Sequence, residues 1–109
     1  MEERQFQMVA KALAEPRRFV ILQAITRAKE ISCGQLAALF PVGQPTVSHH
    51  VAVLERAGLV RVRRQGQRAF FSPVPQTLAE YVEELHRRLA FPGVLPQVGS
   101  EDKEKGGNL

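Results

Sequence analysis

Pro41-Val42-Gly43-Gln44-Pro45-Thr46-Val47-Ser48-His49-His50-Val51-Ala52-Val53-Leu54-Glu55-Arg56-Ala57-Gly58 is the stretch on which the fold turns. Pro41-Val42-Gly43 breaks the chain, and Gly43 is an acceptable helix N-cap. Pro45 falls in the first turn, where its missing N–H forfeits no intrahelical bond. Gly58 closes the segment as glycines just past a helix end do. The spacing predicts a helix from about Gln44 to Ala57. Val47, Val51 and Leu54 share one narrow face and must point inward. The opposite face carries Pro45, Ser48, His49, Ala52 and Arg56, with Gln44 and Thr46 flanking it. No charged residue stands between Gln44 and Val53. A solvated helix usually carries Glu and Lys outside; this one offers amides, hydroxyls and imidazoles on a slim backbone. Such groups exchange hydrogen bonds with base edges, and the helix N-terminus presents free N–H groups to a phosphate. His49 lies on the outer face, as a candidate for base or phosphate contact. His50 lies at the edge of the core face, where a half-buried structural role is expected.

Upstream, Phe6, Val9, Ala10 and Leu13 recur at helical spacing and predict a first helix that stops before Pro16. Pro16 suits the first turn of a second helix, with Phe19, Val20, Leu22 and Ile25 expected on its inner face. Ser32 and Gln35 form a Ser-x-x-Gln capping box that starts a short third helix ending near Phe40. Leu36, Leu39 and Phe40 are its expected buried side. Two helices joined by so short a turn make a helix-turn-helix, whose second helix enters the major groove of DNA.

Downstream, Val60 and Val62 alternate with Arg61 and Arg63, Gln65-Gly66 supplies a tight turn, and Arg68-Ala69-Phe70-Phe71 returns. The result is a two-stranded ribbon with arginine on its outer side. Arg56, Arg61, Arg63, Arg64 and Arg68 follow one another without an acidic residue after Arg56. Arginines at a ribbon tip reach phosphates or a narrow minor groove. Leu78, Tyr81, Val82, Leu85 and Leu89 mark a last amphipathic helix. The expected fold is therefore mostly α with a small β-hairpin, in the order α-α-α-α-β-β-α: a winged helix-turn-helix over residues 1–90. Pro92 and Pro96 forbid further helix, and residues 91–109 read as a flexible tail.

Composition sets the outer limits. A chain of 109 residues suits one domain, and 44% hydrophobic with 24% charged residues excludes wholesale disorder and fibrous repeats. The net charge is +4, and +5 without the tail, which favours a polyanionic partner. No apolar run is long enough to cross a membrane and the N-terminus is too polar for a secretory signal, so a cytoplasmic location is expected. One cysteine excludes an internal disulfide and a thiolate-rich metal site within one chain. There is no paired acid and base, no phosphate-cradling glycine loop and no nucleophile with a supporting base. Neither catalysis nor a cofactor is expected. Cys33 reads as a partly buried, inert thiol, and His86 as part of an exposed helix flank.

Ala12-Leu13-Ala14-Glu15-Pro16-Arg17-Arg18-Phe19-Val20-Ile21-Leu22, Gln44-Pro45-Thr46-Val47-Ser48-His49-His50-Val51 and Leu54-Glu55-Arg56-Ala57-Gly58-Leu59-Val60 together resemble the ArsR/SmtB-type winged-helix repressors. The resemblance covers roughly residues 6 to 90. It implies a homodimeric DNA-binding repressor whose first and last helices form the subunit interface. By that likeness Gln44, Thr46, Ser48 and His49 fall where the family touches bases, and Arg64 and Arg68 fall on the wing. The basic cluster adds Arg56 and Arg63 to the candidate DNA contacts.

Two apolar stripes at opposite ends of a small domain give dimerisation an argument of its own, with Phe6, Val9, Leu13, Leu78, Tyr81, Val82, Leu85 and Leu89 as candidate interface residues. A two-fold dimer presents recognition helices about 34 Å apart and calls for an inverted-repeat operator. The metal-sensing members carry Cys-x-Cys at the start of the third helix. Here Ser32 and Gly34 hold those positions, with Cys33 between them, and neither replaces a thiolate for a soft metal. The last helix has His86 alone, with Leu89 one turn on and Pro75 at the earlier histidine position. No metal ligand is therefore carried over. A small-molecule effector is left open. The competing reading is a winged-helix protein-interaction module, against which the polar and basic outer face speaks.

Overall fold

The computed structural model describes residues 1–90; the tail assigned to residues 91–109 lies outside the described residues. Helix α1 (Glu3–Ala14) and α2 (Pro16–Ala28) meet at Glu15, whose carboxylate accepts from the Arg18 N–H at 2.7 Å, while Pro16 occupies the first turn of α2. A two-residue strand β1 (Ile31–Ser32) leads into α3 (Cys33–Ala37). The predicted capping box is formed: Ser32 Oγ accepts from the Gln35 N–H and Gln35 Oε1 accepts from the Ser32 N–H, each at 3.1 Å. Helix α4 (Gln44–Arg56), strands β2 (Val60–Gln65) and β3 (Arg68–Pro73), and helix α5 (Pro75–Leu89) follow.

Both glycine expectations hold where the backbone requires them. Gly58 turns the chain out of α4 with φ +85°, and Gly66 opens the hairpin loop with φ +60°. The pairing of Gln65 with Arg68 makes the loop Gly66-Gln67, one residue later than expected. Glycine at the first central position is what a type II′ hairpin turn requires.

The sheet has three antiparallel strands in the order β1-β3-β2, not two. Ile31 pairs with Phe71 and Ser32 with Phe70, so the wing is stitched to the start of α3. The core lies between the helices α1 to α4 and the sheet: Val9, Ala12, Ile21, Ile25, Leu36, Val47, Val51, Leu54, Leu59 and Phe71 are all buried in it.

Several inward assignments are corrected. On α2 the buried residues are Ile21 and Ile25, while Phe19 and Val20 are 44% and 46% exposed. Phe19-Val20-Ile21-Leu22 is apolar all round the helix, so neighbours, not periodicity, choose the inner face. Helix α3 stops at Ala37, and the chain turns before Leu39, which is 61% exposed.

Val9 belongs to the protomer core, and Phe6 is buried against Tyr81, with ring centroids 5.1 Å apart. Arg88 covers the other side of the Phe6 ring at 3.8 Å and reaches Glu3 at 2.8 Å. The stripes of α1 and α5 therefore spend part of their apolar surface on each other. What stays outside is Leu78, Val82 and Leu89 on α5, beside an apolar groove of about 240 Å³ among Leu13, Phe19, Leu22 and Leu78.

Candidate nucleic-acid interface

Helix α4 lies across the protomer with Val47, Val51 and Leu54 buried and Gln44, Pro45, Thr46, Ser48, His49 and Arg56 exposed. Its start is set by Gly43, which offers no side-chain cap, so the N–H groups of the first turn have no capping side chain.

One flank of α4 rests on α3. Gln44 Nε2 donates to Cys33 Sγ at 3.5 Å, and Ser48 Oγ lies 3.4 Å from the same sulfur. The capping box that starts α3 thus also delivers a thiol against two candidate base-reading side chains. The other flank of α4 rests on α2. Arg18 Nη1 donates to His50 Nδ1 at 3.2 Å. Burial pushes the His50 pKa down from its ordinary value; Glu15 opposes this, and Arg18, His49 and Arg17 add to it. His50 is half-buried and His49 exposed, as the helical wheel required.

The hairpin separates its arginines by strand alternation. Arg64 follows Val60 and Val62 on the face toward α4, and with Gln44, Ser48, Glu55 and Gln67 it lines a cleft of about 240 Å³ between helix and wing. Arg61 and Arg63 point to the other face. There Arg63 pairs with Glu30 at 3.2 Å and stacks over Phe70 at 4.4 Å, with Arg68 on the same ring at 4.9 Å. Arg68 also borders Gln44 and Gly34 in a shallow hollow at the hairpin tip. Arg56 stands apart, at the far end of α4 beside Glu2, Arg4, Gln5 and Met8.

The structure thus gathers Gln44, Ser48 and Arg64 around the front of α4, leaves His49 and Thr46 on its open side, sets Arg68 at the hairpin tip on the Phe70 face, and does not bring Arg56 or Arg63 to that front. Sequence reasoning placed Arg64 on the outer side of the ribbon with the others. Its phase with Val60 and Val62 was the signal that would have separated it. Arg18 gave no signal, because its role depends on a neighbour 32 residues away.

The helix-turn-helix domain family matches residues 13–63 of this chain. The biofilm growth-associated repressor of Agrobacterium fabrum is 31% identical over 85 residues, covering 78% of this chain and 72% of that protein. The transcriptional activator HlyU of Vibrio cholerae is 34% identical over 80 residues, covering 73% of each. Among solved structures, the homodimeric winged helix-turn-helix DNA-binding domain of Mb0332 from Mycobacterium bovis, "a possible ArsR-family transcriptional regulator", is 25% identical at TM-score 0.63, covering 78% of this chain and 84% of that one. The chain belongs to the ArsR-type winged helix-turn-helix transcriptional regulators.

Members of this family are transcriptional regulators and not enzymes, and that is the class of this protein. The family's thiolate metal site does not fit these residues. Ser32 is buried with its hydroxyl spent in the capping box, Gly34 has no side chain, and the Cys33 sulfur faces Gln44 and Ser48. Among the described residues no helix is long and apolar enough to cross a membrane.

Proposed function

We propose that this chain works in the cytoplasm as a homodimeric repressor that grips an inverted-repeat DNA operator with the exposed front of α4 and the arginines of the wing. The observation that carries the reading is the pairing of an uncharged, exposed helix face with Arg64 across one cleft. Gln44, Thr46, Ser48 and His49 are the base-reading candidates, and Arg64 and Arg68 hold phosphates. Arg56 and Arg63 are secondary, because one stands at the far end of the helix and the other is paired with Glu30. Repression is steric: the bound dimer covers a promoter.

Dimerisation is supported by the exposed Leu78, Val82 and Leu89 of α5 and the adjoining apolar groove, surface that a second copy would remove from water. The Mb0332 domain is a homodimer, and the same arrangement is proposed here. It spaces two copies of α4 about one DNA turn apart. Release of the operator is assigned to an effector other than a thiolate-bound metal.

Selecting bound fragments from a genomic library tests the reading. Recovery of one family of inverted repeats, saturated by one dimer each and lying over promoters, is the expected result. Recovery of random fragments, or none, refutes it. Raised transcription from such a promoter when the protein is removed supports repression; lowered transcription would make the protein an activator.

A further inference from the structure

Helix α4 buries only a narrow stripe, and its N-cap carries no side chain to anchor it. That stripe fixes which face points inward, and contacts on the two flanks of the helix add to the hold on its roll. On one flank Gln44 and Ser48 rest on Cys33. On the other there are two polar ties: Gln5 Nε2 donates to the Ala57 carbonyl at the end of α4, 3.2 Å away, and nearer the middle of the helix the guanidinium of Arg18 reaches His50.

That guanidinium does three things at once. Nε donates to the Ala12 carbonyl at 3.0 Å, Nη2 to the Lys11 carbonyl at 3.5 Å, and Nη1 to His50 Nδ1 at 3.2 Å. Lys11 and Ala12 lie in the last turn of α1, where carbonyls lack intrahelical partners. Arg18 thereby closes the end of α1 and holds α4 from the same atoms. Arginine remains protonated and has only donors, so Nδ1 must accept and the ring proton of a neutral His50 sits on Nε2.

We infer that Arg18 is a positioning residue for DNA recognition, acting through the Nδ1 of His50 to fix the roll of α4 against α1 and α2. The inference rests on α4 being the helix that meets DNA. A roll of about 10° moves atoms ~6 Å from a helix axis by about 1 Å. That exceeds the distance range within which hydrogen bonds form. Loss of the tie therefore reads out as lost sequence preference rather than lost charge. The charged and titratable groups facing His50 are Arg17 and Arg18 of α2, Glu15 at its start, and His49 of α4. Helix α1 enters the network through the carbonyls of Lys11 and Ala12. A second proton on His50 would sit on Nδ1 and break the tie.

The test is a double-mutant cycle on the DNA fragment that the wild-type protein recovers from the genomic library, with thermal unfolding run on every variant. His50→Leu and Arg18→Met each weaken binding to that fragment by about ten-fold, leave random DNA within about two-fold, and together are no worse than the weaker single variant. His50→Asn, whose Oδ1 stands in for Nδ1, stays within about three-fold of wild type. Nitrogen NMR of labelled histidine shows an unprotonated Nδ1 at His50 in the wild type and an altered signal in Arg18→Met. Losses that multiply to about a hundred-fold in the double variant, or full binding by His50→Leu, overturn the inference. If Arg18→Met fails to fold, His50→Leu and His50→Asn still decide it. A wild-type protein that recovers no fragment refutes the operator reading instead, and the NMR signal then shows separately whether Arg18 sets the His50 proton.

Discussion

Replacing Arg64 and Arg63 in turn by alanine should give two different outcomes, although the residues are adjacent and chemically identical. Arg64 faces α4 across the cleft and makes no ion pair among the described residues. Arg63 faces away, with Nε and Nη2 each 3.2 Å from a Glu30 carboxylate oxygen and its guanidinium over Phe70. A phosphate held by arginine releases counterions, and each such contact adds about 0.9 to the slope of log affinity against log salt. Two protomers on one operator make that ~1.8 for Arg64. Between 50 and 200 mM salt the advantage of wild type over Arg64→Ala should therefore shrink about 12-fold. The loss should be the same on operator and random DNA, since a phosphate contact carries no sequence. Arg63→Ala removes a charge already neutralised by Glu30 and should shift the slope by less than about 0.5. Fluorescence anisotropy across a salt series measures both. Equal slope changes for the two variants, or an Arg64→Ala defect confined to the operator, would refute the geometry from which the difference is drawn.

Other outcomes follow from single contacts. Gly58→Ala forces a side chain onto φ +85° and sets its Cβ 2.7 Å from Gln5 Nε2, which donates to the Ala57 carbonyl. Denaturant unfolding should show a loss of about 1–3 kcal/mol, and thermal unfolding a fall of roughly 4–8 °C per kcal/mol. Replacing Ser48 and His49 together by alanine should leave random DNA binding unchanged and cost ~1–3 kcal/mol per lost base contact on the operator, read by competition binding. Val82→Glu puts a charge on the exposed stripe of α5 and should shift sedimentation from dimer to monomer at micromolar concentration; an unchanged dimer would place the interface elsewhere. The lowered pKa of His50 means that the unfolded chain takes up its proton first as pH falls. Stability from this residue should be complete above the ordinary histidine value near 6.5 and decline below it, and His50→Asn should remove that part of the pH dependence in thermal unfolding.

How far the sequence reached depended on whether a residue's environment is local. Gly43, Pro45 and Gly58 pin α4 from both ends, and Val47, Val51 and Leu54 fix its inner face, so the helix was legible to within a residue. The Ser32–Gln35 box was legible because both partners lie within one turn. Strand β1 was not, since two residues have no period; only the pairing with Phe70 and Phe71 makes Ile31 and Ser32 a strand. Phe19 and Val20 were misplaced because α2 is apolar on every side there, and Val9 because an apolar stripe does not say whether its partner is another helix or another copy. In the candidate site, the polar face of α4 could be read from a wheel. The opposite facing of Arg63 and Arg64 required the wing's phase and the position of Glu30. The hold of Arg18 on His50 required the packing of α2 against α4.

Amide NMR of labelled protein titrated with the recovered operator fragment probes the whole surface at once. Shifts concentrated at residues 44–52 and 64–68, with little change along the solvent side of α5, are what this account requires. Perturbation confined to α1 and α5, with the first turns of α4 silent, would contradict it.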